Sequence, residues 1–306
     1  MVNLLKRILL NRNSILVFAV IAGIIIGENA VYIKDYSFIA LAITMAFSMT
    51  GINLTHLKNP VNISKQLLMG VLLNYIIFSA ILLLLAWFFM PNKILFYGFV
   101  VIAAAPPGVA IIPFSYLLKG KVDYAILGVM GAFLASIIFA PLLVNLFTDG
   151  QQVKPFEMFI MMVQLVLVPM IVSRILLLKP VFKLVEPIRG KVVDWGFAII
   201  IFVAVGMNRH VFFTNPMLLL SVSIVLMITI FGLGLCSEYF GKILQLDTPT
   251  RTTQNMLVAI KSSGFSVYTA LTLFGKDAAI PSAVMSVMVL LYLIYLSLRT
   301  NKNTKE

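Results

Sequence analysis

Charge is scarce in this 306-residue chain. Only 11% of its residues are Asp, Glu, Lys or Arg, against roughly 25% in soluble domains, and the mean hydropathy is +1.05. A soluble globule is excluded because too few polar side chains exist to cover one, and disorder is excluded by the 61% hydrophobic content. Cysteine is almost absent: Cys236 stands alone, so no internal disulfide can form. With His56 and His210 as the only histidines, no metal centre and no cofactor is expected. An enzyme is not expected either. The chain has no HExxH pair, no GxSxG elbow and no aspartate pair inside an apolar run, which disfavours an intramembrane hydrolase. The net charge of +12 does not argue for nucleic acid, because the 23 cations are scattered in short clusters between apolar runs.

What the chain has in abundance is apolar runs long enough to cross a bilayer, at about 20 residues each. They predict an all-α membrane protein of ten helices, near 13–32, 36–55, 66–90, 94–119, 122–147, 156–178, 194–213, 216–243, 249–274 and 278–298. Breakers mark several boundaries: Asn59-Pro60, Pro91-Asn92, Asp149-Gly150, Lys179-Pro180, Asn215-Pro216 and Thr248-Pro249. The basic stretch before the first run is not read as a signal peptide, since Glu28 and Asn29 follow it instead of a small-residue cleavage site.

Lys and Arg fall unevenly between the two sides of such a chain. Seventeen lie on the side of the termini, among them Lys6, Arg7, Lys119, Lys121, Lys183, Arg189 and Arg299. Five lie opposite: Lys34, Lys93, Lys154, Arg209 and Lys276. Both termini are therefore expected in the cytoplasm, in a bacterial plasma membrane. The remaining cation, Lys261, sits inside the ninth run.

Two runs carry breakers near their middles. Pro106, Pro107 and Gly108 interrupt the fourth, because consecutive prolines remove two amide donors and clash with the preceding turn. Lys261, Ser262, Ser263 and Gly264 occupy the corresponding place in the ninth. Gly108 and Gly264 are 156 residues apart, as are the starts of the fifth and tenth runs. That spacing predicts two five-span repeats, 1–150 and 151–306, of inverted topology because five is odd. Breaks at Ala105–Gly108 and Ile260–Gly264 point to a transporter's binding site, since unwound backbone is tolerated at membrane depth only where it lines a cavity or is buried in protein.

The stretches AAAPPGVAIIPFSYLLKGKVDYAI, IKSSGFSVYTALTLFGKDAAIPSAVMSV and TGINLTHLKNP resemble motifs of the bile acid:sodium symporter family, the last with His56 where an acidic residue usually sits. The resemblance implies an elevator-like secondary transporter. Core helices 66–147 and 216–298 would cross at the two breaks and move against a panel of helices 13–55 and 156–213. It also implies where sodium would bind, and there the sequence departs from the pattern. The family's ninth-span Glu and Gln fall on Leu257 and Lys261, its Ser-Asn pair on Ile111 and Ile112, its fifth-span hydroxyls on Leu127 and Gly131, and its third-span Gln on Asn74. Only Asn74 keeps a suitable oxygen, so both sodium sites read as dismantled.

Lys261 lies about 12 residues from either end of its run, roughly 18 Å at 1.5 Å per residue, too deep to reach an interface. A buried ammonium costs about 2.5 to 3.5 kcal/mol even on lenient insertion scales. Expected partners are carbonyls freed around Pro106–Gly108, the Asn74 amide, and Ser262 or Ser263, with the ammonium acting as a tethered substitute for sodium. Trp87, Trp195 and Tyr97 are expected as interface aromatics and Cys236 as a packing residue. Asn208, Arg209 and His210 are expected at a solvated helix end. The partners implied are the lipid bilayer and a small organic solute, an anion given Lys261 and the positive ends of the half-helices. Alternatives are a proton-coupled carrier or exchanger using Lys261, and a non-transporting membrane sensor.

Overall fold

The computed structural model describes residues 12–33, 36–50, 60–90, 92–108, 110–148, 155–207, 209, 213 and 215–303. Among these, every regular element is helical and no strand forms. The chain runs through α1 (Arg12–Ile26), extended by a short turn to Ile33, and α2 (Ser37–Met49). Then come α3 (Pro60–Val71) and α4 (Ser79–Phe89), joined without a break by a π-helical segment at Leu72–Phe78. Next are α5 (Lys93–Ala104), α6 (Ile111–Leu117), α7 (Val122–Phe147), α8 (Pro155–Leu176) and α9 (Lys179–Met207). After these, α10 (Pro216–Met227) and α11 (Leu233–Ile243) are again joined by a π-helical segment, Ile228–Gly232. The last are α12 (Thr248–Ala259), α13 (Ser263–Phe274) and α14 (Ile280–Asn303).

Six described helical stretches are long and apolar enough to cross a membrane: 14–33, 62–89, 122–147, 179–207, 216–243 and 277–300. Four shorter apolar helices accompany them, at 39–49, 93–104, 163–176 and 263–274. Two of the four are halves of the runs that the breakers interrupt. The protein is an integral membrane protein, as its composition requires.

Side chains explain where several helices begin. Asn92 Oδ1 accepts from the amides of Ile94 and Leu95, at 2.9 and 3.4 Å, and so caps α5. Asn215 caps α10 through the Leu218 amide, and Asp247 caps α12 through the Thr250 amide and hydroxyl. Gly275, at φ +84°, ends α13 in a conformation that disfavours any Cβ.

The helices sort by contact. α9 packs on α1 and α2, and α8 on α2. Elsewhere α3 packs on α7, α5 on α7 and α13, α12 on α11 and α7, and α14 on α10 and α13. The third and fifth runs touch closely enough that a Cβ on Gly70 would lie 2.1 Å from the Gly128 carbonyl oxygen.

Several expectations are corrected. The 194–213 helix begins at Lys179, because the basic Lys179–Lys191 stretch, read as a loop, continues the helix through Pro187. The 66–90 helix begins at Pro60, the residue most suited to a first turn. α2 ends at Met49, and the His56 segment lies outside the described residues. Tyr97 is buried against Phe274 at 5.2 Å, whereas Trp87 and Trp195 are exposed. Cys236 is exposed, not packed. Arg209 pairs with Glu28 at 2.8 Å, while Asn208 and His210 lie outside the described residues.

Candidate functional site at the helix crossing

Both expected interruptions are present, with different extents. α5 ends at Ala104, because Pro106 and Pro107 bring no amide hydrogens and a residue before proline is pushed out of helical geometry. Ala105 is extended, at φ −63°, ψ 145°. The helix resumes only at Ile111. The second break is shorter than predicted: Ile260 and Ser262 are extended, but Ser263 and Gly264 already belong to α13.

The freed main-chain groups satisfy one another across the crossing. Pro107 and Lys261 face each other as an isolated antiparallel bridge. The Gly108 amide donates to Ile260 O at 3.2 Å, and the Ser262 amide donates to Pro106 O at 2.9 Å. Two unwound segments that would each be intolerable alone in hydrocarbon thus pair as a short piece of sheet.

Lys261 is 1% exposed. Its ammonium donates to Asn74 Oδ1, Ala103 O and Ala105 O, each at 2.8 Å. Ala103 O is free for a simple reason: its i+4 partner in a continuous helix would be the amide of Pro107, which has no hydrogen. Ala105 O lies past the last helical residue. The faces of Tyr75 and Phe78 cover the ammonium, with ring centroids 4.6 and 5.1 Å away. Ser79 donates to Ala103 O at 2.9 Å, so that carbonyl serves two donors.

Sequence reading anticipated Asn74 and the freed carbonyls, but neither Ser262 nor Ser263 bonds the ammonium. It missed Tyr75, Phe78 and Ser79. The spacing held a partial signal, since Phe78 lies four positions from Asn74 and Ser79 four from Tyr75, the separation that brings side chains to one helical face.

The positions where the resemblance puts sodium ligands are filled by packing. Leu257 and Ile111 are fully buried, with Leu127 and Ile112 nearly so. Leu257 lies against Gly128, where an added Cβ would come within 2.6 Å of its Cδ1. Gly131 is buried where a Cβ would meet Leu67 O at 2.5 Å. Among the described residues, no group of His, Cys, Asp and Glu could hold a metal ion.

Beside the crossing lies a cavity of about 50 Å³. Gly108, Ile260, Ser262 and Ser263 line one side, Leu16, Phe197 and Ile201 another, and Ser286 and Leu290 of α14 a third. It has room for only a few waters, far below the roughly 300 Å³ of a ligand site. The polar residues that line it are Lys261, Ser262, Ser263 and Ser286.

Two interrupted helices that cross beside a cavity are an arrangement characteristic of membrane transporters. Comparison with known proteins gives the family. Residues 38–215 match the Sodium Bile acid symporter family, and the chain belongs to it. It is 28% identical over 279 residues to the "Uncharacterized sodium-dependent transporter YocS" of Bacillus subtilis (strain 168), covering 89% of this chain and 85% of that one. It is 26% identical over 263 residues to the "Probable sodium/metabolite cotransporter BASS1, chloroplastic" of Arabidopsis thaliana, covering 83% of this chain and 63% of that one. The protein is therefore a transporter of small molecules and not an enzyme.

Proposed function

We propose that the protein is a sodium-independent secondary transporter of a small organic anion in which Lys261 occupies the place of a bound cation. The observation that carries this reading is the ammonium of Lys261, held at 2.8 Å by Asn74, Ala103 and Ala105 where the helices cross. The relatives' names speak of sodium. In this chain, Leu257, Ile111, Ile112, Leu127 and Gly131 offer no side-chain oxygen at the matching positions, and a fixed positive charge there would repel a second cation.

The ten-span, twofold architecture belongs to the same reading. Six long and four shorter apolar helices account for ten crossings. The π-helical segments begin at Leu72 and Ile228, 156 residues apart, the same offset as Gly108 and Gly264. Residues 1–150 and 151–306 form the inverted repeats, with both termini cytoplasmic in a bacterial plasma membrane. Helices 66–147 and 216–298 form a core, and 13–55 and 156–213 a panel. The cavity between α1, α9 and the crossing widens as core and panel part, in elevator fashion, to admit substrate. An anion fits because the described cavity lining holds no carboxylate and both Lys261 and the start of α13 are positive.

The test is uptake. Purified protein is screened against organic anions by thermal stabilisation, and the hits are offered to proteoliposomes with sodium or potassium outside. Equal uptake in both supports the reading. Sodium-stimulated uptake refutes sodium independence, and binding without uptake assigns the protein to the sensors.

A further inference from the structure

The geometry points to the cradle around Lys261 Nζ being a receptor for a primary ammonium group, so that Lys261 remains charged throughout the transport cycle. This rests on the proposal that Lys261 stands in for a bound cation, and it adds which cation the site is built to take.

An ammonium group has three N–H donors and no acceptor. The cradle offers three oxygens, each at 2.8 Å, within the range of charge-assisted hydrogen bonds. The remaining directions are closed by the faces of Tyr75 and Phe78. Aromatic faces attract a cation without hydrogen-bonding to it. A sodium ion would need several more oxygens at shorter range. A neutral amine has two N–H donors and a lone pair, and that lone pair would point at an oxygen. Ala103 O and Ala105 O are main-chain carbonyls and cannot donate. Only Asn74 could turn a donor inward.

All three N–H donors of Lys261 are thus committed to protein oxygens, and none is left for substrate. The lysine acts on a bound anion through its field and by holding the crossing together. Loss of a proton from Lys261 would leave one of the three oxygens facing the amine lone pair unless the Asn74 amide turned over to donate, so the cradle as it stands matches the charged form.

The cradle should therefore accept a free amine once the tether is cut. Lys261→Ala removes three methylenes and the ammonium, a volume matched by ethylammonium or propylammonium. The variant is purified with and without ethylammonium chloride, and its melting temperature is followed against ethylammonium, tetramethylammonium and sodium chlorides at equal ionic strength. A saturable rise with ethylammonium, absent with tetramethylammonium, supports the receptor. A rise with sodium alone, or with none of the three, overturns it. If the variant cannot be purified in any of these salts, ¹⁵N NMR of Lys261 Nζ in the unmodified protein decides: an ammonium resonance from about pH 6 to about pH 9 supports the proposal, and an amine resonance overturns it. Ethylammonium binding by a protein that transports nothing would leave the cradle standing and defeat the transporter reading alone.

Discussion

Lys261 and Asn74 lie 187 residues apart in the chain, yet the ammonium of one donates to the amide oxygen of the other at 2.8 Å in a fully buried setting. The bond ties the interrupted ninth run to the π-helical segment of the third. Neither residue is explicable alone. Asn74 in hydrocarbon needs a donor, Lys261 needs acceptors, and the proline-broken fourth run supplies the two further oxygens.

Removing the charge should therefore abolish or uncouple transport more than it harms the fold. Lys261→Met leaves Ala105 O and Asn74 Oδ1 unpaired, at about 1–3 kcal/mol each, but it also removes a buried ammonium, which offsets part of that cost. We expect a folded protein without normal uptake, and Lys261→Gln as the milder change. Unchanged uptake in Lys261→Met would contradict the assignment.

Asn74→Leu has the opposite balance, because the charge stays and loses one acceptor. A hydrogen bond to a charged group is worth about 1.5–3 kcal/mol, so the variant should be destabilised by that amount in denaturant or thermal unfolding. Asn74→Asp would pair a carboxylate with the ammonium and should keep most of the stability.

The packing of Leu257 on Gly128 is tested by a double-mutant cycle. Gly128→Ala drives a methyl group into Leu257 and should cost about 1–3 kcal/mol through overpacking. Leu257→Ala leaves a cavity and should cost about 2–5 kcal/mol. Together they should cost less than the sum, with a coupling of about 0.5–3 kcal/mol. Strict additivity would mean that the two residues do not share this space.

Asp247 gives a pH dependence outside the membrane. Its carboxylate accepts from the Thr250 hydroxyl and amide, and these bonds hold its pKa below the usual carboxylate value. A depressed folded pKa means that the cap's contribution is complete above the ordinary carboxylate range and is lost as pH falls through the folded value. Asp247→Asn keeps the cap and should remove this acid sensitivity. Asp247→Ala should cost about 1 kcal/mol near neutrality. Melting curves from neutral to acid pH check both.

The membrane class, the two interruptions and the Lys261–Asn74 site were legible in the sequence because each violates a rule that hydrocarbon enforces: prolines mid-helix, an ammonium at depth, an amide without water. Tyr75 and Phe78 break no such rule, since aromatic residues are at home anywhere in a span, and only the four-residue spacing of Phe78 from Asn74 hints at its place. The start of α9 was missed for a related reason. Lys179–Lys191 is too polar to span hydrocarbon, but nothing prevents a polar stretch from continuing a helix beyond it. Cys236 was expected in packing and is exposed, because a small residue in an apolar helix fits a packed face and a lipid face equally well.

The most direct measurement needs no substrate. The melting temperature of the purified, unmodified protein is followed as sodium chloride replaces choline chloride at constant ionic strength. An ion that binds the folded state must raise it. A tethered cation at the crossing predicts no sodium-specific change in the unmodified protein. A saturable, sodium-specific rise would show that sodium binds despite Lys261 and would contradict the central claim.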